Sequence, residues 1–258
     1  MTDDLRHAAR VALACLDLTS LGDADTPAEV EALCRRAATP HGTVAAVCVW
    51  PRLAADALRW SPAPVRVAAV ANFPAGGTDE AAVEREVGEL AALGVHEIDL
   101  VLPWRALRAG HPEVCAGIVR AARRSAPHQT LKLIVESGEL VEPALVAQAC
   151  RIGIAEGADF LKTSTGKTAR GATPEAADVM LRTIAADGAA RSRVGFKASG
   201  GVRTVVTAAD YIRLVERHLG AAALTPARLR IGASALLDDI LRLLDVEPAA
   251  TGGAASAP

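Results

Sequence analysis

The chain has 258 residues, 51% of them hydrophobic and 22% charged, and a formal net charge of −2. Without a basic stretch and with only 3% aromatic residues, it lacks the charge footprint and stacking platforms of a nucleic-acid-binding protein. No apolar run approaches the ~20 residues of a membrane-spanning helix, and the opening "MTDDLRHAAR" lacks the apolar core of an export signal.

The cysteines Cys15, Cys34, Cys48, Cys115 and Cys150 show no paired spacing, the pattern of reduced thiols in a cytoplasmic protein. The histidines are scattered, with no HxH or HExxH, so a histidine metal site is not expected. Lysine is rare, with Lys132, Lys162, Lys167 and Lys197 standing against many arginines.

In chain order, the first β-like run is "CLDLT" (15–19). "TPAEVEALCRRAA" follows, where Thr26, Pro27 and Glu29 form a capping box with proline at the first helical position. "VAAVCVW" (44–50) and "VRVAAVANF" (65–73) are strand-like. "TDEAAVEREVGELAALG" then puts Val83, Val87 and Leu90 on one helical stripe and stops at Gly94. "EIDLVLP" (97–103) and "LKLIVESG" (131–138) read as strands, and "ELVEPALVAQACRIGIAEG" as a helix stopping at Gly157. "FLKTSTG" (160–166) precedes a helix in "TPEAADVMLRTIAADG" that stops at Gly188. "VGFKASGG" (194–201) and "RLRIGASA" (228–235) complete eight runs, spaced about 22 to 35 residues apart.

That interval fits a βα unit of about 30 residues, and alternation predicts a parallel sheet. Eight units in this length predict one α/β domain over residues 1–247, a closed (β/α)8 TIM barrel, with an open doubly wound sheet as the alternative. The tail from Pro248, "PAATGGAASAP", is low in complexity and is expected to be disordered over 248–258.

Side chains alternate along strands. Leu16 and Leu18 share one face, leaving Asp17 and Thr19 on the other. Ile98, Leu100 and Leu102 oppose Glu97, Asp99 and Val101, and Leu131, Leu133 and Val135 oppose Lys132, Ile134 and Glu136. The same phase puts Cys48, Asn72, Lys162 and Lys197 inside. Apolar residues therefore face the helices and charges collect in the lumen. They could form a satisfied internal ion network. Buried charge is costly, however, and a lumen this charged points to chemistry at the carboxyl ends of the strands.

A lysine attacks a carbonyl only as the neutral amine, which a nearby ammonium and partial desolvation favour. Lys162 and Lys197, on consecutive strands, are placed to be that pair, with Asp99 holding a water or relaying a proton. "KASGG" (197–201) and "GAS" (232–234), the latter opening a helix, suit an anion after strands seven and eight, where such barrels bind phosphate. "STGK" (164–167) looks like the end of a phosphate-binding loop, but GxxxxGK is absent, which argues against nucleotide hydrolysis.

The motifs "LDLTSL", "VCVWP", "ANFPAG", "EIDLVLP", "LKLIVESGEL", "GADFLKTSTGK", "VGFKASGGVRT" and "RIGAS" occur in this order between about Leu13 and Leu244. In this the chain resembles the deoxyribose-phosphate aldolases, class I aldolases that interconvert 2-deoxy-D-ribose 5-phosphate with acetaldehyde and glyceraldehyde 3-phosphate. The resemblance implies that Lys162 forms the Schiff base, that Lys197 perturbs it and assists proton transfer, and that Asp99 serves the proton relay. It also implies that Thr165, Lys167, Gly200, Gly201, Gly232 and Ser234 surround the substrate and its phosphate. Asp17, Thr19 and Lys132 match polar positions near the sugar. Cys48 matches a cysteine that can react with unsaturated aldehydes, or it is a small buried hydrophobe. Two departures stand out. Ala235 replaces a second serine found in some relatives, and the tail lacks the tyrosine that some carry, the sole tyrosine being Tyr211 in a predicted helix.

The expectation is a cofactor-free, metal-free aldolase whose partners are a sugar phosphate and aldehydes, with neither nucleic acid nor membrane, and with a homodimer as the expected assembly. Three rivals stay open: a Schiff-base aldolase acting on a ketose phosphate, a sugar-phosphate-binding barrel without catalysis, and a metal-dependent sugar-phosphate isomerase.

Overall fold

A computed structural model describes residues 3–246; the tail expected to be disordered, 248–258, lies outside the described residues. Eight parallel strands close into a barrel. They are β1 (Leu16–Thr19), β2 (Ala46–Val49), β3 (Arg66–Ala71), β4 (Glu97–Val101), β5 (Thr130–Ile134), β6 (Phe160–Lys162), β7 (Gly195–Ser199) and β8 (Leu229–Ala233), with β8 pairing back onto β1. Helices connect successive strands, giving the expected (β/α)8 TIM barrel and excluding the open sheet. A small hairpin, Ala38–Thr39 with Gly42–Thr43, stands outside it. The helix Asp3–Ala14 precedes β1 and packs on the helices Val205–Leu219 and Leu236–Asp245.

Local chemistry explains the helix ends. Thr26 caps the helix Pro27–Arg36 through the full reciprocal box: its own N–H donates to Glu29 Oε2 at 2.6 Å while Glu29 N–H donates to Thr26 Oγ1 at 3.4 Å. The helix Glu80–Leu93 is capped by Asp79 and ends on left-handed Gly94 (φ 89°). The single helix expected over 139–157 is two, Ser137–Leu140 and Pro143–Ala155. Pro143 cannot donate, Glu142 before it is held extended, and Val141 turns the chain at φ 56°. The helix Pro174–Ala186 ends one residue before Asp187, with no role for Gly188 in the cap.

Alternation along the strands separates core from lumen as the sequence pattern requires. Leu16, Leu18, Ile98, Leu100, Leu131 and Leu133 are fully buried in the apolar layer under the helices. Asp17, Glu97, Asp99, Lys132, Lys162 and Lys197 are buried too, on the opposite phase. The register sets Lys162 level with Lys197, and Asp99 level with Lys132. Neighbouring strands thus deliver the three lysines and Asp99 to one region of the lumen.

Candidate active site in the barrel lumen

The lumen charges form a continuous network in layers. At its base Arg230, on β8, donates to Asp17 Oδ1 at 2.6 Å and forks onto Glu97, Nη1 to Oε2 at 2.9 Å and Nη2 to Oε1 at 2.7 Å. Arg66 Nε reaches Glu97 Oε1 at 2.7 Å from the barrel's amino-terminal side. Above this, Lys132 Nζ lies 2.6 Å from Glu97, 2.8 Å from Asp99 and 3.3 Å from Asp17. Lys197 Nζ donates to Asp17 Oδ2 and, at 2.7 Å, to Asp99 Oδ2. Lys162 Nζ, uppermost, donates to Asp99 Oδ2 at 2.7 Å and to no other group among the described residues.

Charge balance singles out Lys162. The carboxylates Asp17, Glu97 and Asp99 are matched by the buried cations Lys132, Lys197 and Arg230, all within hydrogen-bond reach, and part-exposed Arg66 adds a further cation on Glu97. Protonated Lys162 adds a cation to a set whose buried charges already balance. Burial accordingly pushes its pKa below the usual lysine value, and the field of Lys197 adds to this against the pull of Asp99. Burial acts the same way on Lys197 and Lys132, but Asp17 and Asp99 outweigh it, and both are held above the ordinary value. Burial would raise Asp99, yet Lys132, Lys162 and Lys197 hold it well below the usual carboxylate range. Around Lys162 the lumen therefore holds firm ammonium groups on Lys132 and Lys197, the firm carboxylate of Asp99, and one amine that holds its proton less tightly than an ordinary lysine.

Above Lys162 opens a cleft of about 420 Å³ at the carboxyl ends of β1, β6, β7 and β8. Among the expected site residues, Thr19, Lys162, Thr165, Lys167, Gly200, Gly201, Gly232 and Ser234 line it. Asp17, Cys48, Asp99, Lys132 and Lys197 form the layer beneath and do not line it. Gly200 and Gly201 have φ of 85° and 89°, and a Cβ on Gly200 would come 3.0 Å from Gly171 Cα. Gly232 is needed for a different reason: its Cβ would stand 3.0 Å from Lys197 Cε, in the path of that side chain. Exposed Ser234 sits just before the helix Leu236–Asp245, whose first residue has no side-chain cap, leaving first-turn N–H groups open to an anion.

Other expected residues have local partners. Lys167 Nζ pairs with Asp23 at 2.7 Å and lies 5.6 Å from the Trp50 ring. Thr19 Oγ1 donates to the Asp17 carbonyl at 2.9 Å. Cys48 Sγ is 3.9 Å from Asp99 Oδ2, and burial first, then Asp99, push its thiol up to about 11. It packs with Ala68 and Val70 as an apolar wall facing the charges. Asn72 stands apart from the lumen charges: its amide donates to the carbonyls of Gly77 and Val101 and accepts from Gly77 N–H, fixing its own loop.

Sequence reading missed Arg230 as a member of the network, although it shares the inward phase of Gly232. It also missed Arg203 at the cleft rim, for which an exposed arginine among many gave no signal.

Comparison with known proteins agrees with this architecture. The sequence model of the DeoC/LacD family aldolases matches residues 11–242. A deoxyribose-phosphate aldolase of Agrobacterium fabrum (strain C58 / ATCC 33970) is 44% identical over 242 residues, covering 93% of this chain and 92% of that protein. Among solved structures, the apo form of a candidate deoxyribose-phosphate aldolase from Toxoplasma gondii ME49 superposes with a TM-score of 0.86 at 23% identity, covering 96% of this chain and all of that one. A candidate deoxyribose-phosphate aldolase from Coccidioides immitis superposes with a TM-score of 0.78 at 26% identity, over 90% of this chain and 86% of the other. With a family model spanning nearly the whole barrel and a relative at 44% identity, the chain belongs to the DeoC/LacD family of aldolases.

Proposed function

We propose that the enzyme is a class I aldolase that reversibly cleaves 2-deoxy-D-ribose 5-phosphate to acetaldehyde and D-glyceraldehyde 3-phosphate through an imine on Lys162. The observation that carries this reading is the position of Lys162 Nζ. It lies at the floor of the cleft, with one carboxylate contact among the described residues and a depressed pKa, while the two ammonium groups below it are firmly charged.

In the cleavage direction the free amine adds to the C1 carbonyl of the open-chain sugar, and water leaves to give the protonated imine. A water held by Asp99 and Lys197 takes the proton of the C3 hydroxyl. The C2–C3 electron pair moves into the imine, glyceraldehyde 3-phosphate departs, and the enamine on Lys162 is protonated at carbon and hydrolysed to acetaldehyde. The phosphate is held by the backbone at Gly200–Gly201, by Ser234 and the start of the helix Leu236–Asp245, and by Lys167. No metal or cofactor takes part in this scheme. A homodimer and a cytoplasmic location belong to the same proposal.

Acetaldehyde with borohydride, followed by peptide mapping, tests it: a two-carbon adduct is expected on Lys162. An adduct on Lys167 or Lys197 instead overturns the assignment. Failure to release acetaldehyde from 2-deoxy-D-ribose 5-phosphate, with cleavage of a ketose phosphate, favours the rival aldolase.

A further inference from the structure

Glu136 is a buried carboxylate that stands outside the ion network of Asp17, Glu97 and Asp99 and that the proposed chemistry does not use. It follows β5 on the inward phase, is fully buried, and holds φ 55°, ψ 57°. That left-handed conformation costs a non-glycine residue of the order of 1 kcal/mol, so its surroundings must hold it there.

The partners of its carboxylate are all on one turn. Thr165 N–H donates to both oxygens at 3.3 Å, Thr165 Oγ1 donates to Oε2 at 2.6 Å, and Thr168 Oγ1 lies 3.5 Å from Oε1. Thr165 Oγ1 in turn accepts from Lys167 N–H at 3.0 Å. One carboxylate therefore reaches both ends of the turn 165–168, which carries Lys167. Backbone bonds on either side tie the same segment to β6: Val135 N–H to the Lys162 carbonyl at 2.9 Å, and Ser137 N–H to that of Thr163 at 2.8 Å.

Three loops stack behind this contact. A Cβ on Gly138 would stand 2.1 Å from the Arg170 carbonyl, and one on Gly171 would stand 2.2 Å from the Gly200 carbonyl. Ala172 N–H donates to the carbonyls of Ser199 and Gly200 at 3.1 and 3.0 Å. Residues 136–138 press on 165–171, which press on 199–201. Movement at the Glu136 end has no slack to absorb it before Gly200 and Gly201.

We propose that Glu136 is a positioning residue for the phosphate end of the cleft: its carboxylate sets the Thr165–Thr168 turn, and through it Lys167 and the Gly200–Gly201 backbone. The N–H and hydroxyl of Thr165 converge on this group, with the Thr168 hydroxyl at its edge and nearer the Arg170 carbonyl at 3.2 Å. A carboxylate meets the Thr165 donors with acceptors only, whereas an amide would turn an N–H toward one of them. The proposal rests on the functional reading above and adds to it a dependence of phosphate recognition on a residue that touches no substrate.

Glu136→Gln, assayed as the intact enzyme with 2-deoxy-D-ribose 5-phosphate and with unphosphorylated 2-deoxy-D-ribose, separates the possibilities. The expected result is a KM for the phosphorylated sugar raised about tenfold. The wild-type preference for that sugar should shrink by a similar factor, while borohydride trapping of acetaldehyde on Lys162 is kept. A lowered Tm with an unchanged preference overturns the proposal, because it assigns Glu136 to the fold alone. So does an equal loss on both sugars. Should Glu136→Gln fail to fold, Glu136→Asp, which keeps the charge but withdraws it by one methylene, carries the same comparison. A wild-type enzyme without trapping at Lys162 or without preference for the phosphorylated sugar sinks the functional reading and this proposal with it. Wild-type trapping and preference with an unchanged ratio in the variant sink this proposal alone.

Discussion

Lys162 and Lys197 share one oxygen atom: both donate to Oδ2 of Asp99, each at 2.7 Å. The carboxylate between them shields their repulsion, so the neighbouring ammonium is not the main reason that Lys162 loses its proton. Burial is the larger cause, with Lys197 adding to it. Lys197→Leu removes that addition and also leaves Asp99 to Lys162 and Lys132. The pKa of Lys162 should then rise and the pH profile of borohydride trapping should move upward. An unmoved profile would assign the reactivity of Lys162 to desolvation alone. Because the change leaves Asp17 one cation short, Tm must be followed in parallel.

Lys162→Arg should leave no measurable turnover and no borohydride adduct. The guanidinium keeps the positive charge beside Asp99 but stays protonated and cannot form the imine. Residual cleavage trapped at another lysine would move the Schiff base elsewhere.

Much of this was legible in the sequence because two periods carry it. Spacing near 30 residues gave the barrel, and the two-residue alternation put Asp17, Glu97, Asp99, Lys132, Lys162 and Lys197 in the lumen. Alternation says nothing about height along the barrel axis. It could not separate residues lining the cleft, such as Thr165 and Ser234, from those beneath it, such as Lys132 and Asp17. Nor could a strand-by-strand reading see that Arg230 crosses the lumen to Glu97, a partnership of residues far apart in the chain. The break at Val141 was hidden because an apolar pattern continues through it, although Pro143 marked it.

Lys167 reaches across the cleft mouth to Asp23, an exposed residue whose carboxyl is held below its usual value by the Lys167 hydrogen bond and charge. An exposed pair of this kind is easily exchanged, so an incoming phosphate can replace Asp23 on Lys167. Asp23→Asn should change KM for 2-deoxy-D-ribose 5-phosphate by less than about threefold, or lower it, whereas Lys167→Met should raise it about tenfold. A tenfold rise in Asp23→Asn would make Asp23 itself part of substrate binding.

The phosphate end can be tested by charge. Ser234→Asp places a carboxylate at the start of the helix Leu236–Asp245, where the substrate anion is proposed to sit. KM for the phosphorylated sugar should rise by at least about tenfold, with turnover of unphosphorylated deoxyribose unchanged. Equal effects on both sugars would remove the phosphate from this end of the cleft.

The lumen network should also set the acid limit of the fold. Asp17 and Asp99 are held below their ordinary value of 3.8, against the opposing effect of burial, by Arg230, Lys132 and Lys197 at Asp17 and by the three lysines at Asp99. A carboxylate whose folded pKa lies below its unfolded pKa contributes stability that is complete above the unfolded value and is lost as pH falls through it toward the folded one. Tm should therefore be flat with respect to these groups at neutral pH and fall steeply below about pH 4. Arg230→Leu takes one cation from Asp17 and two hydrogen bonds from Glu97. It should cost about 3–5 kcal/mol at neutral pH, as removal of one partner from a buried charge set does. With that cation gone, the folded pKa values of Asp17 and Glu97 rise toward their unfolded ones, so less stability remains to be lost on acidification. The variant's curve should thus start lower and fall less between neutral pH and the acid limit than the wild type's. Parallel curves, offset by a constant, would mean that Arg230 acts through packing on Phe160, whose ring centroid it approaches to 5.6 Å, and not through the carboxylates.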